Sequence, residues 1–326
     1  MFLRKLGKTN IKLSTLGLGC WQFSKNNGFA GKFWSTLSDE ETVEIVKISL
    51  EGGMNWFDTA ELYGRGKSEK SLSQALKKLN IDQDSAIIAT KWWPLLRTAS
   101  SIKNTINDRL HHLGGYPITL HQVHMPLGFS SIEKEMNAMA DLVEAGKIQC
   151  VGVSNFNENQ MIRAYSALDQ RGIKLTSNQV EYSILNRKIE SNGVLNRAKE
   201  LGVSIIAYSP LSKGLVSGKF HDNPMLIKKR IRWRRYMRMK NQFSKANLLK
   251  SSLVIDELKR ISKTYNATSS QIALNWLVHL NGDIVFAIPG ATKPKQAIDN
   301  INAMKIKLLP RDMERLDIVS KQYIES

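Results

Sequence analysis

Short apolar runs alternate along the chain with longer stretches in which apolar residues recur at helical spacing. The runs of strand length are Leu16–Cys20, Trp56–Ala60, Ala86–Lys91, Ile118–His124, Val151–Asn155, Asn178–Tyr182, Ser204–Ser209 and Ile284–Pro289. Between them the spacing predicts helices over 39–51, 68–78, 100–112, 131–145, 157–169, 188–201, 250–280 in two pieces, and 294–303. Ser38 before Asp39, Glu40 and Glu41, and Ser131 before Glu133 and Lys134, are expected N-caps: a serine hydroxyl accepts from the first free amides, and early acids suit the positive end of the helix dipole.

Strands separated by helices imply parallel pairing, because a crossover helix returns the chain to the same end of the sheet. Eight such units predict an α/β protein with a closed (β/α)8 architecture, the TIM-barrel class, in a single domain over residues 1–326. FLRKL and IKLST around Gly7–Asn10 predict an N-terminal β-hairpin that caps the barrel floor. An extra C-terminal helix is expected near Pro310–Gln322, and residues 217–249 form a long basic insertion loop after the seventh strand.

Composition narrows the class of protein. Hydrophobic residues make up 42% of 326, as in a globular chain, and no apolar run approaches membrane-spanning length. The N-terminus lacks the apolar stretch of a secretory signal, and Cys20 and Cys150 are the only cysteines, so a cytoplasmic location is expected and a disulfide framework or zinc site is not. The net charge of +18 is concentrated: residues 213–250 hold twelve Lys or Arg against one acid, Asp222.

Active sites of such barrels lie at the C-terminal ends of the strands. There the second strand delivers Asp58 and Tyr63, the third Lys91 and the fourth His124. These four suit proton transfer to a carbonyl oxygen. Tyrosine ionises near pH 10, too high for an efficient neutral shuttle; an ammonium at Lys91, held by Asp58, would lower that value, and His124 would donate a hydrogen bond to the same oxygen.

GLGCWQF at 17–23, FDTAELYG at 57–64, TKWW at 90–93, VHMP at 123–126, GVSNF at 152–156, NQVEYS at 178–183, YSPL at 208–211 and IPGAT at 288–292 occur in that order, and with them the chain resembles the aldo-keto reductase superfamily over nearly its whole length. The resemblance implies an oxidoreductase that reduces aldehyde or ketone carbonyls, with Asp58, Tyr63, Lys91 and His124 as catalytic tetrad and Tyr63 as general acid/base. Its cofactor would be NADPH in preference to NADH. Gly19, Cys20 and Trp21 would line the cofactor site. Ser154, Asn155 and Gln179 would hold the nicotinamide carboxamide and Tyr208 would stack on its ring. Ser209, Pro210, Leu211 and Gly214 would face the pyrophosphate, and Ile288, Gly290, Thr292, Lys293, Gln296 and Asn300 the adenosine side. Many relatives carry an arginine where Thr292 or Gln296 stands; Lys293 and Lys295 are expected to supply that charge. Trp21, Trp92 and Trp34 are expected to wall an aromatic substrate pocket. The family's substrates include sugars, aldehydes, quinones, steroids and pyridoxal-like compounds, and the motifs do not choose among them.

KKRIRWRRYMRMK at 228–240 holds eight basic residues in thirteen. It reads first as a solvated loop, second as a flap over the cofactor or an anionic substrate, and last as a contact for nucleic acid, an acidic protein or an anionic membrane surface. Two other functions compete with the reductase: a cofactor-binding regulatory or redox-sensing subunit acting with a partner protein, and a lyase using Lys91 as a Schiff-base amine.

Overall fold

A computed structural model of the chain describes residues 3–25, 27, 36–230 and 241–325. Eight strands pair in chain order into one parallel sheet: β3 (Leu18–Gly19), β4 (Trp56–Asp58), β5 (Ile87–Trp92), β6 (Ile118–Val123), β7 (Ile148–Ser154), β8 (Leu175–Glu181), β9 (Ser204–Tyr208) and β10 (Val285–Ala287). The first and last strands then meet. Gly17 N–H donates to Ala287 O (2.9 Å), Gly19 N–H to Pro289 O (3.1 Å) and Ala287 N–H to Thr15 O (3.0 Å), which closes the sheet into a barrel. The closure needs Gly19, because a Cβ there would sit 2.8 Å from Ile288 O.

Successive side chains of a strand point to opposite faces. Trp56, Ala89, Leu120, Cys150, Ile206, Phe286 and Ile288 share one buried cluster, the barrel interior. Their alternates, among them Phe57, Ile88, Trp92, Val123, Val151 and Val153, pack outward under the helices. The expected hairpin, β1 (Leu3–Lys5) with β2 (Lys12–Ser14), seals the N-terminal end: Leu6 and Leu13 are buried in the interior cluster, Gly7 N–H donates to Ser204 Oγ (2.8 Å), and Arg4 Nη1 donates to Val278 O (2.5 Å).

The helices between strands are α1 (Asp39–Glu51), α2 (Lys67–Lys78), α3 (Ser100–His112), α4 (Ile132–Glu144), α5 (Glu158–Asp169), α6 (Lys188–Ser191) and α7 (Val194–Leu201). Then follow α8 (Lys219–Asp222), α9 (Met225–Arg230), α10 (Lys245–Thr264), α11 (Ser269–His279), α12 (Pro294–Lys305) and the extra C-terminal α13 (Pro310–Glu325). Ser38 and Ser131 cap α1 and α4 as expected, accepting from Glu41 N and Lys134 N.

Three expectations change. The helix over 188–201 is two, because Gly193 adopts φ 84° and ends the first. The insertion at 217–249 is partly helical, carrying α8, α9 and the start of α10, while residues 231–240 of its basic run lie outside the described residues. β8 begins at Leu175, three residues before the expected start at Asn178: Thr176 and Ser177 are buried strand residues too, with Thr176 Oγ1 donating to Val151 O (2.8 Å), and Asn178 Nδ2 donates to Phe156 O (2.9 Å).

Near the C-terminal rim, Glu135 of α4 is buried directly beneath Gly128; a Cβ on that glycine would fall 2.0 Å from Glu135 Oε1. Burial pushes the Glu135 carboxyl up to about 7. The folded state therefore keeps this proton at pH values where the unfolded chain has released it. The associated stability is complete below the ordinary glutamate range and is lost as pH rises through about 7. Glu135→Gln should match the wild type in acid and exceed it above that pH by about 1–3 kcal/mol. Denaturant titrations on either side of neutrality measure the difference; equal stability of the two proteins in alkali would contradict it.

Candidate active site

The strand ends place the expected ionisable groups together through pleat and register. Asp58 pairs across the ladder with Ala89, Lys91 with Gln122, Gln122 with Gly152, and Ser154 with Gln179. At the level of the tetrad, Asp58, Lys91, Gln122 and Gln179 all turn inward. Lys91 Nζ lies 2.5 Å from Asp58 Oδ1 and donates to Thr59 O (2.9 Å). The other carboxylate oxygen, Oδ2, accepts from Gln179 Nε2 (2.8 Å) and Gln122 Nε2 (3.4 Å). Both members of the ion pair are cut off from solvent, at 0% and 1% exposure. Each therefore depends on the other for its charge. Burial lowers the Lys91 pKa, and Asp58 opposes that fall.

Tyr63 and His124 lie above this pair and remain partly open to the barrel mouth. Lys91 Nζ is 5.1 Å from the Tyr63 ring centroid; the Tyr63 and His124 rings meet edge-on at 5.8 Å, and Trp21 stacks on Tyr63 at 5.9 Å. The structure thus brings all four tetrad positions into one cluster. One electrostatic expectation is reversed. Burial, with Asp58 and then Cys20 adding to it, holds the Tyr63 hydroxyl well above pH 10. Lys91 does not lower it because Asp58 neutralises the lysine at closer range. Tyr63 is accordingly a neutral phenol, a proton donor. Burial and then Lys91 hold His124 well below the usual histidine range, so its ring is neutral too. His124 Nδ1 is buried without a hydrogen-bond partner among the described residues. An orphaned acceptor is tolerated better than an orphaned donor, which assigns the proton to Nε2.

The expected cofactor positions line the same rim. Ser154 Oγ donates to Gln179 O (2.8 Å) and Tyr208 OH to Asn155 Oδ1 (2.9 Å), while Asn155 Nδ2 donates to His124 O (3.2 Å). Asn155 and Ser209, just past β7 and β9, hold left-handed backbone at φ 61° and 52°, and Ser212, Lys213 and Gly214 follow at 45°, 56° and 96°. Such strain in non-glycine residues concentrates where a ligand must be met. Pro210 and Leu211 lie within this turn. At the adenosine side, Gln296 Oε1 accepts from Thr292 N (2.7 Å) and Oγ1 (3.0 Å), so those two residues satisfy each other, while Lys293 and Lys295 stay exposed at the start of α12. Asn300 is buried, with Nδ2 lacking a partner among the described residues. Ile288 belongs to the interior cluster.

Several assignments shift. Cys20 is fully buried in the outer layer, its Sγ donating weakly to Leu18 O (3.4 Å), and it offers no side chain to a ligand. Trp92 is 1% exposed in that layer, with Nε1 donating to Ser101 Oγ (3.0 Å). Period-two alternation explains this: Lys91 points in, so Trp92 points out. It is Trp93 that stands edge-on to His124, at 5.3 Å. Trp34 lies outside the described residues.

Two contributors escaped the sequence reading. Gln122 is two residues before His124 on the same strand face, a signal available from alternation alone. Gln22 is buried against Gly290, where a Cβ would come 2.2 Å from Gln22 Nε2; no sequence pattern marks it.

The sequence pattern of the Aldo/keto reductase family matches residues 15–321. An uncharacterized oxidoreductase of Mycobacterium bovis is 31% identical over 314 residues, covering 96% of this chain and 91% of that protein. A crystallised thermostable aldo-keto reductase, in complex with the inhibitor epalrestat, is 28% identical and superposes with a TM-score of 0.77 over 98% of this chain and 100% of its own. An aldo-keto reductase from Klebsiella pneumoniae, in complex with NADPH, aligns with a TM-score of 0.74 at 22% identity over 98% and 95% of the two chains. The barrel, the four groups gathered at its mouth and a family match that runs from before β3 into α13 agree, and the chain belongs to the aldo/keto reductase family.

Proposed function

We propose that this protein is an NADPH-dependent oxidoreductase that reduces aldehyde or ketone carbonyls to alcohols, with Tyr63 as the proton donor. The observation that carries this reading is the sealed Asp58–Lys91 pair lying directly beneath Tyr63 and His124. A bound reduced nicotinamide supplies the hydride to the carbonyl carbon. The chain's own residues do the rest. Tyr63, a neutral phenol, gives its proton to the carbonyl oxygen. His124 Nε2–H donates a hydrogen bond to that oxygen and spreads the developing negative charge. Asp58, fixed by two glutamine amides, keeps Lys91 charged and aimed beneath the Tyr63 ring.

The donor set fits a dinucleotide. Gln179 spends its amide N–H groups on Asp58 and Gln122, leaving Oε1 as acceptor for a carboxamide beside Ser154 and Asn155. Tyr208 offers a ring held by Asn155, and the left-handed turn from Ser209 to Gly214 suits the pyrophosphate. Asn300 has an unclaimed buried donor for the adenosine side. With Thr292 and Gln296 engaged in each other, the 2′-phosphate falls to Lys293 or Lys295. Titration of tryptophan fluorescence with NADPH and NADH tests this. Tighter binding of NADPH, with the preference reduced by Lys293→Ala or Lys295→Ala, is the expected result. Preference for NADH would keep the reaction class and overturn the phosphate contact; binding of neither would overturn the reductase.

A further inference from the structure

Behind the tetrad lies a second ionic cluster that the proposed reaction does not use. Glu61 stands in the turn after β4, two residues before Tyr63. Its Oε1 lies 2.6 Å from Arg97 Nη1 and 3.3 Å from Arg109 Nη1, and its Oε2 accepts from Trp93 N–H (3.0 Å). Arg109, on α3 and buried, carries the cluster onward, with Nε 3.0 Å from Glu69 Oε2. Glu69, on α2 and wholly buried, accepts from Thr90 Oγ1 at its other oxygen (2.6 Å). His112 Nδ1 sits 3.2 Å from Glu69 Oε2 and 3.1 Å from Arg109 Nη2. Thr90 immediately precedes Lys91 on β5; since Lys91 points into the barrel, Thr90 points out toward these helices.

The cluster thus ties together the two chain segments whose separation matters for proton transfer. One end holds the turn that carries Tyr63, and the other holds the strand residue beside Lys91. Glu61 also fixes the backbone of Trp93, whose ring stands edge-on to His124 at 5.3 Å. A carboxylate shared by two guanidiniums in a largely buried place resists displacement, because any shift leaves a charge unpaired in a poorly polarisable medium. Filling the space would not require ions: apolar side chains of similar volume often stabilise a buried site as well or better. We propose that Glu61 and Arg109 are positioning residues for the proton donor, holding the Tyr63 turn at a fixed height over the Asp58–Lys91 pair and acting through Tyr63 rather than on the reacting atoms. This role rests on the reductase reading and deepens it.

The test is a cycle of Glu61→Gln and Tyr63→Phe, assayed with NADPH on a panel of aldehydes and ketones. Glutamine keeps the volume and an acceptor for Trp93 N–H but removes the charge that binds both arginines. In the otherwise wild-type protein kcat should fall by about 10–100-fold, the cost of a slightly misplaced reacting group, while KM and NADPH affinity stay within about 2-fold. The solvent deuterium isotope effect on kcat should grow, as proton transfer becomes the slower step. In the Tyr63→Phe background the same substitution should cost less than about 2-fold, because the group through which Glu61 acts has lost its proton. Thermal midpoints check folding. If Glu61→Gln is unfolded, Glu61→Gln/Arg97→Gln removes one charge of each sign, leaves Arg109 paired with Glu69, and carries the same expectations. Equal losses on the two backgrounds, or a folded variant with kcat within about 2-fold of the wild type, overturn the positioning role alone. A wild type that reduces no member of the panel overturns the reductase reading and this role with it.

Discussion

Replacing Lys91 with methionine should destabilise the fold by about 3–5 kcal/mol and abolish turnover together. The stability loss comes from Asp58. At 1% exposure its carboxylate has no access to water, and removal of the ammonium 2.5 Å away leaves two amide donors for a buried charge. The variant must then either protonate Asp58 or open the barrel mouth. A second substitution separates the two effects. In Lys91→Met/Asp58→Asn no buried charge remains, so most of the lost stability should return while activity does not. Denaturant midpoints for the single and double variants, read beside turnover, give the cycle. A single variant within about 1 kcal/mol of the wild type would show that the pair is not a mutually dependent buried ion pair. The same geometry disfavours a Schiff-base lyase: Lys91 is wholly buried and already binds Asp58 and Thr59 O, whereas an amine that attacks a substrate carbonyl must be free to reach it.

The architecture was legible because its signals are long and repetitive. Eight apolar runs alternating with capped amphipathic stretches specify a parallel, closed sheet, and Ser38 and Ser131 announced their helices through hydroxyls that do accept the first amides. The misreadings came where tertiary burial overrides local chemistry. Thr176 and Ser177 lie before the expected strand start at Asn178, but both are buried and Thr176 bonds Val151 O in the neighbouring strand, so the strand extends back to Leu175. That Asp58, Tyr63, Lys91 and His124 gather at one place was legible from their positions at strand ends. Their electrostatics were not, because the sequence gives no account of desolvation. Lys91 was expected to pull the Tyr63 pKa down, whereas burial and the Asp58 counter-charge push it up. Trp92 was misplaced for want of one step of pleat counting, since an inward Lys91 forces its neighbour outward and brings Trp93 to His124.

Tyr63→Phe should lower kcat by about 10²–10⁴-fold while leaving NADPH affinity and thermal stability near those of the wild type. The substitution removes one hydroxyl and keeps the ring, which stacks on Trp21 at 5.9 Å and meets His124 edge-on at 5.8 Å, so the pocket walls stay in place. What is lost is the phenol whose ring lies over Lys91 Nζ. His124 is a poor substitute: burial and Lys91 keep its ring neutral, with a single N–H that stabilises negative charge by hydrogen bonding rather than by releasing the proton. The direction of the Tyr63 shift sharpens the expectation. A hydroxyl held well above pH 10 is fully protonated through the neutral range, so carbonyl reduction should show no loss from tyrosine ionisation there, whereas alcohol oxidation, which needs the phenolate, should gain with rising pH. Stopped-flow turnover of the variant, paired with a fluorescence titration of NADPH, separates chemistry from binding. A variant that retains turnover within about tenfold would transfer the proton-donor role to His124 or to water. An unchanged affinity with turnover lost would tie the chemistry to Tyr63. It would also give a cofactor-loaded but inactive protein with which to ask whether any partner responds to the bound dinucleotide rather than to catalysis, the question that separates an enzyme from a redox-sensing subunit.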